Sequence, residues 1–237
     1  MEQRLDQGFE QERGEIVERV NRLRDALARA SARFGAPPML LAVTKEQPPE
    51  RINLLASAGV LAIGESRAQE WREKSGRLPG FELHWIGRLQ TNKIKYIINQ
   101  VCLVHSLDRP ALAEELGQCA QRAGRRVPAL VQVNIAGEAQ KAGVSPGDLS
   151  HFLRQYGGHP GLRLQGLMAI MPEAGDPETL RPLFRLMRET FESIVRQTIA
   201  GVEMRHLSMG MSADCIVAAQ EGATIVRVGS AIFGSRQ

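Results

Sequence analysis

The chain has 237 residues, 43% of them hydrophobic, with 30 basic and 26 acidic residues for a net charge of +4. That composition supplies a core and excludes a disordered chain, while scattered basic residues and 5% aromatics argue against a nucleic-acid surface. No apolar run is long enough for a membrane span, and the opening "MEQRLDQGFEQERGE" is too charged for a signal peptide. The three cysteines, Cys102, Cys119 and Cys215, show no CxxC spacing, which fits a reduced cytoplasmic chain without a structural zinc.

Residues 15–34 are predicted as a helix, because Ile16, Val20, Leu23, Leu27, Ala30 and Phe34 recur at steps of three and four. Eight short apolar runs follow: Met39–Val43, Val60–Ile63, Leu83–Ile86, Val101–Val104, Ala129–Ile135, Leu162–Ile170, Met204–Leu207 and Thr224–Val228. Helical patterns fill the gaps, including Pro49–Ala58 and Pro110–Ala123. Another opens with Asp176 as N-cap and Pro177 at the first helical position, then carries the stripe Leu180, Phe184, Met187, Phe191 and Ile194. "SGRLPG" and "AGEAQKAG" read as loops.

Eight strands alternating with helices predict parallel pairing, since parallel neighbours need crossovers. Eight such units in this length match a single (β/α)8 TIM barrel, with the first helix outside it. One domain is therefore expected over 1–237, residues 1–35 being the outer helix and about 38–234 the barrel. An open doubly wound sheet would call for a glycine-rich turn after the first strand, where the sequence has Thr44 and Lys45.

Barrel active sites lie at the C-terminal ends of the strands. Lys45 stands there, at the end of "LLAVTK". It is either a solvated strand cap or an amine whose desolvation frees it to form an imine, as aldolases and pyridoxal 5'-phosphate (PLP) proteins require. Ser212 falls where a helix is predicted to begin, and Gly229 and Ser230 follow the last strand. Together they suit an anion, because barrels frequently hold phosphate in their last two loops. Arg227, near the end of the last strand, is either a rim salt-bridge residue or a donor to a ligand's ring or phosphate. Asn134 either points into the mouth or caps the next turn. Lys93 and Lys141 read first as solvated lysines. His84, His105 and His206 lie in strands, but only His105 sits near a C-terminal end, so no metal site is expected.

The segments "LLAVTK", "IGES", "HWIGRLQTNK", "VQVNIAGEAQKAGV", "GLMAIMP", "LSMGMSAD" and "TIVRVGSAIFG" together resemble the pyridoxal phosphate homeostasis protein family, in order from about Leu40 to Gly234. The resemblance implies an alanine-racemase-like barrel that holds PLP as an imine on Lys45, with no established catalytic reaction. It implies that Arg227 faces the pyridine nitrogen, that Ser212, Gly229 and Ser230 hold the phosphate, and that Ser66 lies near the cofactor. Ser66 replaces an asparagine usual in the family, Ser230 a threonine, and Met171 a common proline. Expected partners are PLP and apo PLP-dependent enzymes, the protein being a cytoplasmic monomer. A PLP-dependent racemase is the alternative, but it would need a second, β-rich domain with a tyrosine base. The chain ends at Gln237, and its two tyrosines, Tyr96 and Tyr156, fall in helical stretches. An imine-forming aldolase would share Lys45 and the anion site but would be colourless.

Overall fold

Eight strands, all paired in parallel, close on themselves in sequence order in the computed structural model, which describes residues 2–138 and 140–234. They are β1 (Met39–Val43), β2 (Ala62–Glu65), β3 (Glu82–Trp85), β4 (Val101–Leu107), β5 (Val127–Gln132), β6 (Leu162–Met168), β7 (Val202–Ser208) and β8 (Ile225–Val228). The closure joins β1 to β8 with Leu41 opposite Arg227 and Ala42 opposite Val228. This is the TIM barrel that the alternation of runs predicts. Met1, Ala139 and residues 235–237, which the predicted single domain includes, lie outside the described residues.

The outer layer comprises α1 (Glu2–Ala30), α2 (Pro49–Asn53), α3 (Ala68–Lys74), α4 (Pro110–Arg122), α5 (Leu149–Tyr156), α6 (Arg181–Gln197), α7 (Cys215–Gln220) and α8 (Ser230–Phe233). The predicted 15–34 helix is corrected at both ends. It starts at Glu2, because a charged segment with pairs such as Glu10–Arg13 and Glu15–Arg19 is helical without an apolar stripe. It stops at Ala30, and a 3-10 turn over Ala32–Phe34 leaves Phe34 exposed instead of in the stripe. The predicted helix over Pro49–Ala58 is α2 followed by a 3-10 turn at Leu54–Ala58. Asp176 does cap, its Oδ1 accepting the Glu178 N–H at 2.9 Å, but what it caps is a 3-10 lead-in to α6.

Two apolar layers follow from the strand alternation. Between strands and helices lies a large core, with Val20, Ile52, Trp71, Leu112, Phe152 and Phe184 supplied from the helical side. Inside the barrel, Leu41, Leu103, Leu130, Met168 and Ile225 form a second cluster, with Ala62 and Ile86 against it. Because side chains alternate along a strand, the residues two positions toward the C-terminus share the lumen face. On β4 and β8 those are His105 and Arg227, so a polar layer sits above the apolar one.

Candidate functional site

Lys45 is placed by a turn. Beyond the end of β1, the Thr44 N–H still donates to Gly64 O at 3.1 Å. The Gln47 N–H then donates to Thr44 O at 3.1 Å, and Glu46 takes the left-handed φ of 64°. Leu41, Val43 and Lys45 share a parity, and Leu41 lies in the lumen cluster, so Lys45 emerges over the barrel mouth. It is half-buried and has no hydrogen bond or ion pair among the described residues.

A hollow of about 460 Å³ opens beside it, lined by Lys45, Ser212, Arg227, Gly229 and Ser230 together with Glu173. The barrel thus gathers five of the seven residues singled out in the sequence. Ser66 lines a neighbouring, larger hollow of about 750 Å³ with Arg67, Arg88 and Lys93. Asn134 lines a third, where its Nδ2 donates to Glu138 O at 2.8 Å and Lys141 O at 3.3 Å, securing its own loop.

Ser212 is not the helix cap that the sequence suggests. Helix α7 begins at Cys215, after a turn closed by the Met211 N–H donating to Asp214 Oδ1 at 2.5 Å. Ser212 is left in the loop, facing the start of α8. There its Oγ accepts the Gly229 N–H at 3.1 Å and the Ala231 N–H at 3.4 Å. Two backbone donors from the turn after β8 therefore converge on one hydroxyl from the loop after β7, at the edge of the Lys45 hollow.

Arg227 is 4% exposed and makes no ion pair among the described residues. Its Nη1 donates to Ser208 Oγ at 2.8 Å and its Nη2 to Ala169 O at 2.9 Å. Burial pulls its pKa down to about 10, partly offset by the charge of Asp214, so it remains a cation at neutral pH. The histidines form part of the same layer: His105 Nδ1 lies 3.0 Å from Ser208 Oγ, and His105 Nε2 lies 3.0 Å from His84 Nδ1. Among the described residues no group of three or more His, Cys, Asp or Glu is arranged to hold a metal.

One buried group escaped the sequence reading. Lys74, at the end of α3, is 4% exposed and lies 2.7 Å from Glu65 Oε1. In the sequence, Glu70 and Lys74 look like an ordinary surface pair four residues apart; nothing in the spacing marks the lysine as buried.

The chain matches the alanine racemase N-terminal domain family over residues 19–237. It is 40% identical over 225 residues to the pyridoxal phosphate homeostasis protein of Aquifex aeolicus, covering 93% of this chain and 98% of that relative. Among solved structures it is similar to PipY of Synechococcus elongatus without PLP, with a TM-score of 0.83, 34% identity, and coverage of 92% of this chain and 100% of that one. It is also similar to PipY with PLP bound, with a TM-score of 0.77, 33% identity and the same coverage.

Proposed function

The chain belongs to the pyridoxal phosphate homeostasis protein family, and on that premise we propose that it binds PLP at Lys45 and serves to hold, buffer and hand on the cofactor. The observation that carries this reading is the hollow itself: an amine and a buried arginine, neither in an ion pair among the described residues, share it with the Ser212 hydroxyl and the N–H groups that converge on it. That donor set suits a molecule with an aldehyde, a ring nitrogen and a phosphate.

When bound, PLP supplies an aldehyde that an amine takes up reversibly, on a ring able to draw electrons. Lys45 is assigned covalent attachment, since a half-buried amine with no hydrogen bond or ion pair among the described residues is open to react as a nucleophile. Ser212, Gly229 and Ser230 are assigned the phosphate, and the Ser212 hydroxyl and the Gly229 N–H already meet at the hollow. Arg227 is assigned the ring nitrogen. A guanidinium donates a hydrogen bond without giving up its proton, so it would leave that nitrogen unprotonated and the ring's electron demand low. Ser66 and Asn134 line separate hollows and stand outside this set. This supports a carrier over a catalyst, with apo PLP-dependent enzymes as recipients.

The test is a spectroscopic titration with PLP. The expected result is a visible absorbance band that saturates in the parent protein and is absent in Lys45→Ala, followed by transfer of PLP to an added apo-enzyme. Equal bands in the two proteins would remove Lys45 from the site. Failure of transfer would leave a binding protein that is not a donor.

A further inference from the structure

Lys74 lies beneath the Lys45 turn and holds it from one side. Its Nζ is 2.7 Å from Glu65 Oε1 and 2.8 Å from Glu70 Oε1, and it donates to the Thr44 carbonyl oxygen at 2.9 Å. Glu65, fully buried at the end of β2, also accepts the Thr44 hydroxyl. Glu70 accepts the Glu46 N–H at 2.5 Å. The residues immediately before and after Lys45 are thus fastened to one linked group, in which Lys74 and Glu65 are buried and Glu70 is partly exposed.

A strand end does not need such a group for stability. Burying an ammonium and a carboxylate carries a desolvation penalty, and replacing such pairs with apolar residues is often neutral or stabilising. Glu46 is one of only two non-glycine residues with positive φ among the described residues, a conformation that persists where surroundings impose it. Arg67 adds an ion pair to the Glu46 side chain at 2.7 Å. Neither Lys74, Glu65 nor Glu70 lines the Lys45 hollow, so the group acts through the main chain and not on a ligand.

We infer that Lys74, with Glu65 and Glu70, is a positioning residue: it fixes the Thr44–Glu46 backbone so that the Lys45 amine is presented to the hollow. The inference rests on the proposed attachment of PLP at Lys45.

The experiment compares the parent chain with Glu70→Ala, Glu70→Gln and Lys74→Met. Glu70 is the safer probe, because its side chain is 22% exposed and its loss leaves the Lys74–Glu65 pair intact. Two readouts are taken after each variant's thermal midpoint is recorded: hydrogen exchange at the Glu46 amide without cofactor, and the fraction of Lys45 carrying a pyridoxyl group after limiting PLP and borohydride. Glu70→Ala is expected to speed Glu46 exchange and to lower labelling of Lys45 by about tenfold, the loss of one charge-assisted hydrogen bond. Glu70→Gln keeps an acceptor oxygen and is expected to restore both. Lys74→Met, if it folds, is expected to lower labelling at least as far. Labelling and exchange in Glu70→Ala that match the parent would overturn the inference, as would loss of labelling without faster exchange. A parent protein that carries no pyridoxyl group on Lys45 would instead bring down the attachment itself, and the positioning role with it.

Discussion

Arg227 is held at the end of a string of buried polar groups: it donates to Ser208 Oγ, which meets His105, which meets His84. Burial, and secondarily the charge of His206, pulls the pKa of His84 down to about 4; burial pulls that of His105 well below its usual value. Both rings are therefore neutral at pH 7, and each can donate from one nitrogen while accepting at the other. Unfolding returns His84 to about 6.5, so the unfolded chain takes up a proton that the folded chain refuses. Stability contributed this way is present above about pH 6.5 and is lost as pH falls toward 4, by about 3 kcal/mol for His84 alone. Urea unfolding followed from pH 7 to 4 is expected to show this slope, and His84→Gln to flatten it. An unchanged slope in the variant would place the acid sensitivity elsewhere. At the phosphate end, Ser212→Ala is expected to weaken PLP binding by one to two decades, about 1.5–3 kcal/mol for a hydrogen bond to a charged group, with little change in unfolding midpoint. An unaltered affinity would move the phosphate away from Ser212.

The strands that build the barrel are legible where both faces are buried and the run is apolar, as in β1 and β5; β7, with Glu203, Arg205 and His206, is largely half-buried and shows only as the short run Met204–Leu207. Their boundaries were less so: β2 begins at Ala62, two residues after the predicted run, since Gly59 turns the chain at φ 64° and Leu61 is left 47% exposed. Helix α1 shows the opposite effect, its charged first half carrying no periodic signal at all. Gly166 in β6 shows a constraint that no pattern reveals. Its φ is 144°, and a Cβ there would lie 1.9 Å from the His206 carbonyl oxygen of β7. Gly166→Ala must either shift one strand or break their pairing, and a loss of about 2–4 kcal/mol is expected in chemical denaturation. A loss below about 0.5 kcal/mol would mean the two strands adjust freely.

At the scale of the molecule, the order of elements and the lysine at the end of the first strand point to the barrel and its mouth from the sequence alone. Spatial partners did not show: the convergence of Ser212 with the start of α8, the burial of Lys74, and the use of Asn134 within its own loop depend on residues distant in sequence or on burial. The folded chain also places both tyrosines away from Lys45. Tyr156 packs on Phe152 with ring centroids 4.9 Å apart, and the guanidinium of Arg72 lies 4.6 Å from the centre of the Tyr96 ring. Neither lines the Lys45 hollow, so no tyrosine hydroxyl stands ready as a base there. The PLP-loaded protein is accordingly expected to leave L- and D-amino acids unconverted. Turnover at about 1–10³ per second would restore the enzyme reading. The central claim, that Lys45 carries the cofactor, is tested most directly by borohydride reduction of the PLP-loaded protein followed by peptide mass mapping. The account predicts the pyridoxyl group on Lys45; finding it mainly on Lys93 or Lys141 would contradict it.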